Sequence, residues 1–207
     1  MVLISQGIIV SIQGYHQKTI EELAKDAINA GCVALRTDKS LHFRPYDKKV
    51  PIIGLNKIKV INPEITPYIT STIEEIEKVK EWADYIAVDY RLVNNNLKGI
   101  SAYSEERKLN IIADIGCIED YENIKENNYY YTYIATTFSV FKILFKPDTK
   151  LIKYLVDKGE KYIIAEGNYT TRKSVIDVYN LGVKNVCIGS AISNVYKLTR
   201  KFTTVRR

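Results

Sequence analysis

The 207-residue sequence predicts an eight-stranded β/α barrel built as a single domain over residues 1–207. Three observations carry that reading. Short apolar runs rich in Ile and Val alternate with amphipathic segments, and eight such runs occur at roughly 25 residues per unit. Most runs are continuously apolar rather than alternating, as expected of strands buried on both faces of a parallel sheet. No low-complexity linker or charge block divides the chain. A doubly wound open sheet is the alternative, weakened because no G-x-G-x-x-G follows the first run.

The elements follow in order. "GIIVSI" (7–12) is the first strand. The segment around it, "MVLISQGIIVSIQG", has neither a basic n-region nor a small-residue cleavage site, so it reads as a strand and the expected compartment is the cytoplasm. "TIEELAKDAINAG" (19–31) is the first helix, with Thr19 as cap, Glu22 three residues on and Gly31 past its end. "CVALR" (32–36) is the second strand. The crossover "TDKSLHFRPYDKK" is cramped and interrupted by Pro45, so its helix is short or broken. Whether "HFRPYD" (42–47) makes a lid, a partner surface or a plain connection is open. "VPIIGL" (50–55) is the third strand. "STIEEIEKVKEWA" (71–83) then sets Ile73, Ile76, Val79 and Trp82 at helical spacing. "YIAVD" (85–89), "NIIAD" (110–114) and "YTYIAT" (131–136) are the next three strands, and the connections after the fourth and sixth are weakly patterned. "YIIAE" (162–166) leads to "TTRKSVIDVYNLG" (170–182), which again opens on Thr and ends on Gly. "NVCIG" (185–189) closes the set, and the basic "KLTRKFTTVRR" after it reads as a solvated helix face.

Composition narrows the function. A chain 46% hydrophobic and 26% charged is a globular protein rather than a disordered one. No apolar run approaches the roughly 18 residues of a membrane span. Cys32, Cys117 and Cys187 lie far apart without CxxC spacing and read as small buried hydrophobes. With only His16 and His42 beside them, no metal site is expected. The net charge of +6 favours an anionic partner. The 16 tyrosines are scattered rather than interleaved with a basic patch. The expected partner is therefore a small phosphorylated molecule, not nucleic acid or membrane.

In such barrels the chemistry sits at the C-terminal ends of the strands. Those ends carry Gln13, Arg36, Lys57, Asp89, Asp114, Glu166 and the pair Gly189–Ser190, with Thr136 and Thr137 after the sixth strand. Each has a plain alternative. Asp89 or Asp114 can cap the following helix, Arg36 can pair with one of them, and Lys57 can be a solvated loop lysine. The loops after strands seven and eight often bind phosphate through backbone N–H groups. Here they are "EGN" (166–168) and "IGSAI" (188–192), so Gly167, Asn168, Gly189 and Ser190 are the candidate phosphate ligands.

With these residues in view, the chain resembles the N-acetylmannosamine-6-phosphate 2-epimerase family of sialic-acid catabolism over nearly its whole length. The pieces that carry the likeness are "GIIVSIQG", "VALR", "PIIGLNK", "YITSTIEEIEKVKEWADYIAVD", "IIADIGCIEDYENI", "YIATTFS", "YIIAEG" and "CIGSAIS". The resemblance implies a phosphate-binding β/α barrel, often dimeric, that interconverts N-acetylmannosamine 6-phosphate and N-acetylglucosamine 6-phosphate without a redox cofactor. It implies that Lys57 is the acid/base, with Glu166 close by as the second catalytic residue for proton shuttling or for opening the sugar ring, and substrate contacts for Gln13, Arg36, Asp89 and Asp114.

Inverting the carbon beside a carbonyl requires a proton removed from one face and returned on the other. A lysine serves as base only when part of it is neutral, which burial or a nearby arginine promotes and Glu166 opposes. Departures from the family pattern bear on the substrate. Asn168 and Asn194 stand where arginines are usual, Ala135 and Val140 replace glycines of the loop after strand six, "ADIGC" replaces an "ADIST"-like segment, and "YRLV" follows Asp89. Lys142 and Lys197 are the nearby cations that would compensate for the arginines. Two readings stay beside the epimerase: another sugar-phosphate isomerase on the same barrel, and a sugar-phosphate-binding module without catalysis.

Overall fold

The computed structural model describes residues 3–42, 50–141 and 145–203. Eight parallel strands close a barrel in chain order: β1 Gly7–Ile12, β2 Ala34–Thr37, β3 Ile52–Gly54, β4 Tyr85–Asp89, β5 Ile111–Asp114, β6 Tyr133–Ala135, β7 Ile163–Glu166 and β8 Asn185–Ile188. Gly7 pairs with Asn185 to join the last strand to the first. The open-sheet alternative is thereby removed. The helices are α1 Gln17–Asn29, α2 Ile73–Lys80, α3 Leu97–Glu106, α4 Ile118–Glu126, α5 Thr149–Asp157, α6 Arg172–Tyr179, α7 Ser190–Ser193 and α8 Val195–Thr203, with a 3-10 turn at Thr137–Phe141. Most of "HFRPYD", with Pro45, lies outside the described residues, as do Lys142 and the side chain of Lys197.

Strand parity decides which side chains face inward. Alternate positions on neighbouring strands, Ile9, Ala34, Ile53, Tyr85, Ile112 and Ile164 among them, form one buried cluster that fills the barrel. The positions between them, such as Ile86, Val88, Ile111, Ala113, Ile163 and Val186, pack with the buried faces of the helices. Two-sided burial is why these runs are continuously apolar. Following the inner series to the upper strand ends reaches Ser11, Arg36, Asp89, Asp114, Thr137 and Glu166. Tyr133 helps to close the opposite end. Its hydroxyl oxygen accepts from the Ile4 N–H at 3.0 Å, and its ring meets Tyr85 edge-on at 5.7 Å.

Local chemistry explains the helix starts. Thr72 caps α2 by accepting from the Glu75 N–H, while the Glu75 carboxylate returns to the Thr72 N–H, a full capping box. Thr171 caps α6 and Asp148 caps α5 in the same way, each accepting from a backbone N–H three residues on. The first helix differs from expectation. It begins at Gln17, two residues before Thr19, with His16 at the cap and no side-chain capping bond. Gln17 anchors that turn instead, donating to Glu21 and to the Ser40 carbonyl at 2.6 Å.

Candidate active site

A cavity of about 430 Å³ opens at the C-terminal ends of the strands. Its polar wall comes from Ser11, Gln13, Arg36, Thr137 and Glu166; its apolar wall from Tyr68, Ile69, Phe138 and Phe141 of the loops after β3 and β6. Gln13 is fixed by donating its amide to Ser11 Oγ at 2.9 Å.

Arg36 is the centre of the floor. Its side chain is 1% exposed, and it meets both oxygens of Asp114, one at 3.2 Å through Nη1 and the other through Nη2. Nη1 also lies 3.4 Å from Glu166 Oε2. Glu166 is held from a second side, since Thr137 Oγ1 donates to Oε2 at 3.1 Å. Thr136 grips the same residue's backbone, accepting from the Glu166 N–H at 3.0 Å and donating to its carbonyl at 2.8 Å. Burial works against the Arg36 charge, yet Asp114 and Glu166 more than offset it and hold the guanidinium protonated. Burial lifts the Asp114 carboxyl to about 6, with Arg36 pulling the other way. Arg36 Nε is buried with no partner among the described residues.

Cys187 also reaches this wall. It sits opposite Glu166 in the β7–β8 register, and burial together with the neighbouring carboxylate pushes its thiol well above the ordinary value. It is a neutral thiol, not a nucleophile.

The loops after β7 and β8 form the rim. Gly167 has φ +106°, and a Cβ there would lie 2.9 Å from Ser139 Oγ, so glycine is required on both grounds. Asn168 follows with φ +60°, a conformation that asparagine tolerates better than most residues. Gly167, Asn168, Gly189 and Ser190 all line the cavity.

The remaining candidates sit elsewhere. Lys57 is exposed; its Nζ lies 5.4 Å from the centre of the Tyr68 ring and does not contribute to the cavity wall. Its backbone bridges to Ile69, which does. Asp89 and Asp114 are wholly buried behind the wall, each serving an arginine. The arginine on Asp89 is Arg91, whose Nε and Nη2 donate to its two oxygens at 2.9 and 2.6 Å. The position of Arg91 two residues past a strand-end aspartate is its only sequence signal, and one that suits a plain loop cation equally well. Tyr68 carries no sequence signal beyond an apolar pattern, and neither does Cys187.

Similarity to known proteins agrees with this geometry. The family model described as "Putative N-acetylmannosamine-6-phosphate epimerase" matches residues 20–206. The chain belongs to the N-acetylmannosamine-6-phosphate epimerase family. Two relatives described in nearly the same words, as 2-epimerases, support the family assignment. One, from Caldanaerobacter subterraneus, is 32% identical over 97% of this chain and 91% of its own. The other, from Clostridioides difficile, is 30% identical over 94% of this chain and 93% of its own. Among solved structures, the N-acetylmannosamine-6-phosphate 2-epimerase of Clostridium perfringens superposes with a TM-score of 0.83 at 23% identity, covering 98% of this chain and 95% of that one. A tryptophan synthase α-subunit of Pyrococcus furiosus follows the same fold, with a TM-score of 0.64 at 12% identity over 95% of this chain and 92% of its own. This member of the epimerase family thus shares its barrel with a different enzyme, and function rests on the site. No described helix is long and apolar enough to cross a membrane.

Proposed function

We propose that this chain is an isomerase that interconverts N-acetylmannosamine 6-phosphate and N-acetylglucosamine 6-phosphate, removing the C2 proton and returning it to the other face. The observation that carries the reading is Glu166, a carboxylate fixed on a cavity wall by Arg36 and Thr137 in a chain of this family.

The site residues divide the chemistry among them. Glu166, accepting from a hydroxyl and facing a guanidinium, is poised to take or return a proton at one face of C2. Lys57 serves the other face. From its place over Tyr68 it reaches the cavity by turning about its flexible four-carbon stem, its backbone being tied beside Ile69. The Arg36 guanidinium, held protonated at the cavity floor, offsets the negative charge of the enolate that develops when C2 loses its proton. Asp114 contributes through Arg36, and Gln13 contacts the substrate directly. Gly167, Asn168, Gly189 and Ser190 receive the phosphate through the rim. The contacts from asparagine at 168 and 194 are neutral, and a neutral contact is roughly half as strong as a charge-assisted one. The reaction leaves the oxidation state unchanged, so no redox cofactor enters. The role belongs to amino-sugar catabolism in the cytoplasm, and the family resemblance favours a homodimer; nucleic acid has no part in it.

The test is proton NMR of N-acetylmannosamine 6-phosphate in D2O with the wild-type chain and with Lys57→Ala. The C2 proton signal is expected to disappear as the gluco epimer grows, and the variant to lose epimer formation. Full turnover by Lys57→Ala sinks the lysine assignment. The exposed position of Lys57 favours a second reading, a sugar-phosphate-binding module, and binding without any exchange in the wild type selects it.

A further inference from the structure

The two sides of the cavity differ in character. The rim after β7 and β8 offers backbone, amide and hydroxyl groups, from Gly167, Asn168, Gly189 and Ser190. The wall from the loops after β3 and β6 is apolar. There the rings of Phe138 and Phe141 stack with centres 5.8 Å apart, and Phe141 meets Tyr68 edge-on at 6.4 Å. The three rings make one surface that joins the two loops. The hydroxyls of a sugar lose hydration against such a surface, whereas a methyl group gains by burial.

That wall is braced from behind. Arg91 is 5% exposed, and its guanidinium carbon lies 4.0 Å from the centre of the Phe138 ring and 5.4 Å from that of Phe141. Its Nη1 donates to the Pro63 carbonyl at 2.7 Å and its Nη2 to the Thr66 carbonyl at 3.0 Å. Asp89, the partner of Arg91, also accepts from the Tyr68 N–H through Oδ2 at 3.0 Å. One buried ion pair thus ties down the backbone that carries Tyr68 and backs the rings of the other loop. A wall packed in this way does not recede for a larger group.

The proposed substrate is divided in the same manner. Its phosphate is on C6, and its acylamino group is on C2, towards the other end of the carbon chain. With the phosphate on the rim after β7 and β8, the C2 substituent extends towards the loops after β3 and β6. Lys57 Nζ, 5.4 Å from the centre of the Tyr68 ring, marks the same side as the place of C2. We infer that Tyr68, Phe138 and Phe141 form the subsite for the N-acyl group, and that Arg91 and Asp89 fix its depth and so the length of acyl chain that is accepted. This subsite rests on the proposed epimerisation. Asp89 then acts on the substrate through the wall rather than by contact.

The experiment compares the 6-phosphates of N-acetyl-, N-propanoyl- and N-butanoylmannosamine by loss of the C2 proton signal in D2O. The proteins are the wild type, Phe141→Ala and Arg91→Lys, with folding checked by near-UV circular dichroism. One methylene more or less against a close-fitting apolar wall changes kcat/KM by about 10- to 200-fold, so the wild type is expected to favour N-acetyl over N-butanoyl by at least about 10-fold. Phe141→Ala removes one ring and is expected to reduce that preference about 10-fold or more, by a loss on N-acetyl and a gain on N-butanoyl. Arg91→Lys keeps a charge beside Asp89 but loses the flat face and the forked bonds, and a smaller relaxation of the same preference is expected. An unchanged preference in folded Phe141→Ala, including an equal loss on all three substrates, overturns the subsite. If Phe141→Ala fails to fold, Tyr68→Ala is read by the same criterion. An unchanged preference in Arg91→Lys beside a relaxed one in Phe141→Ala overturns the brace. A wild type that exchanges none of the three overturns the epimerisation itself and the subsite with it, whereas one that turns over all three equally overturns the subsite alone.

Discussion

Arg36 can act as a fixed positive charge because nothing around it lets the charge leave. It is buried, doubly bonded to Asp114 and within reach of Glu166. The weak member is Asp114, whose carboxyl burial has lifted to about 6. Protonating it removes one of the two charges that oppose Arg36. The rate is therefore expected to fall as pH drops through about 6, and Asp114→Asn to abolish that limb while lowering kcat about 10- to 100-fold through a loosened Arg36. A pH–rate profile of both proteins checks it. Stability runs the other way. The folded-state value lies above the ordinary one, so this group's contribution is present at low pH and is lost as pH rises through about 6. At this scale the residue types at the strand ends are legible from the sequence, because strand parity places them. Their partners are not. Which aspartate faces which arginine depends on contacts between positions 78 residues apart, as for Arg36 and Asp114, and no local pattern encodes that.

Among the elements, the strands are readable because two-sided burial demands unbroken apolar runs, and the α2 and α6 starts because capping is a matter of three residues. The α1 start departs from its capping pattern for a tertiary reason: Gln17 finds the Ser40 carbonyl across the following connection, which draws the helix two residues earlier than Thr19. The 3-10 turn at Thr137–Phe141 has no capping signature and lies in a weakly patterned stretch. Glycine in β3 also has a packing reason that "PIIGL" alone does not display. A Cβ on Gly54 would stand 2.6 Å from Ala83 Cβ, 2.7 Å from Val79 Cγ1 and 2.8 Å from the Trp82 ring, so α2 and the turn after it lie directly on the strand's backbone. Gly54→Ala is expected to destabilise the fold by about 1–3 kcal/mol through overpacking. A lowered urea midpoint with unchanged slope is the readout. An unshifted midpoint would mean that α2 moves aside without cost.

Across the whole molecule, stability and chemistry occupy opposite ends of the barrel. Tyr133 and Ile4 close the lower end, away from Arg36 and Glu166 at the upper strand ends. Tyr133→Phe strands the buried Ile4 N–H and is expected to cost about 1–3 kcal/mol. Its kcat per folded molecule, measured well below the melting temperature, is expected to match the wild type; a loss of rate there would show that the two ends are coupled. The closed ring has a further consequence, for the order in which the protein is made. β1 needs β8 on its free side, and the residues that pair, Gly7 with Asn185, are among the first and the last strand residues to leave the ribosome. Until β8 emerges, the growing sheet keeps a bare edge on β1, open to the same backbone pairing from any neighbouring chain. The speed of translation through residues 12–185 thus sets how long each nascent chain stays vulnerable, a kinetic hazard that the finished barrel no longer displays.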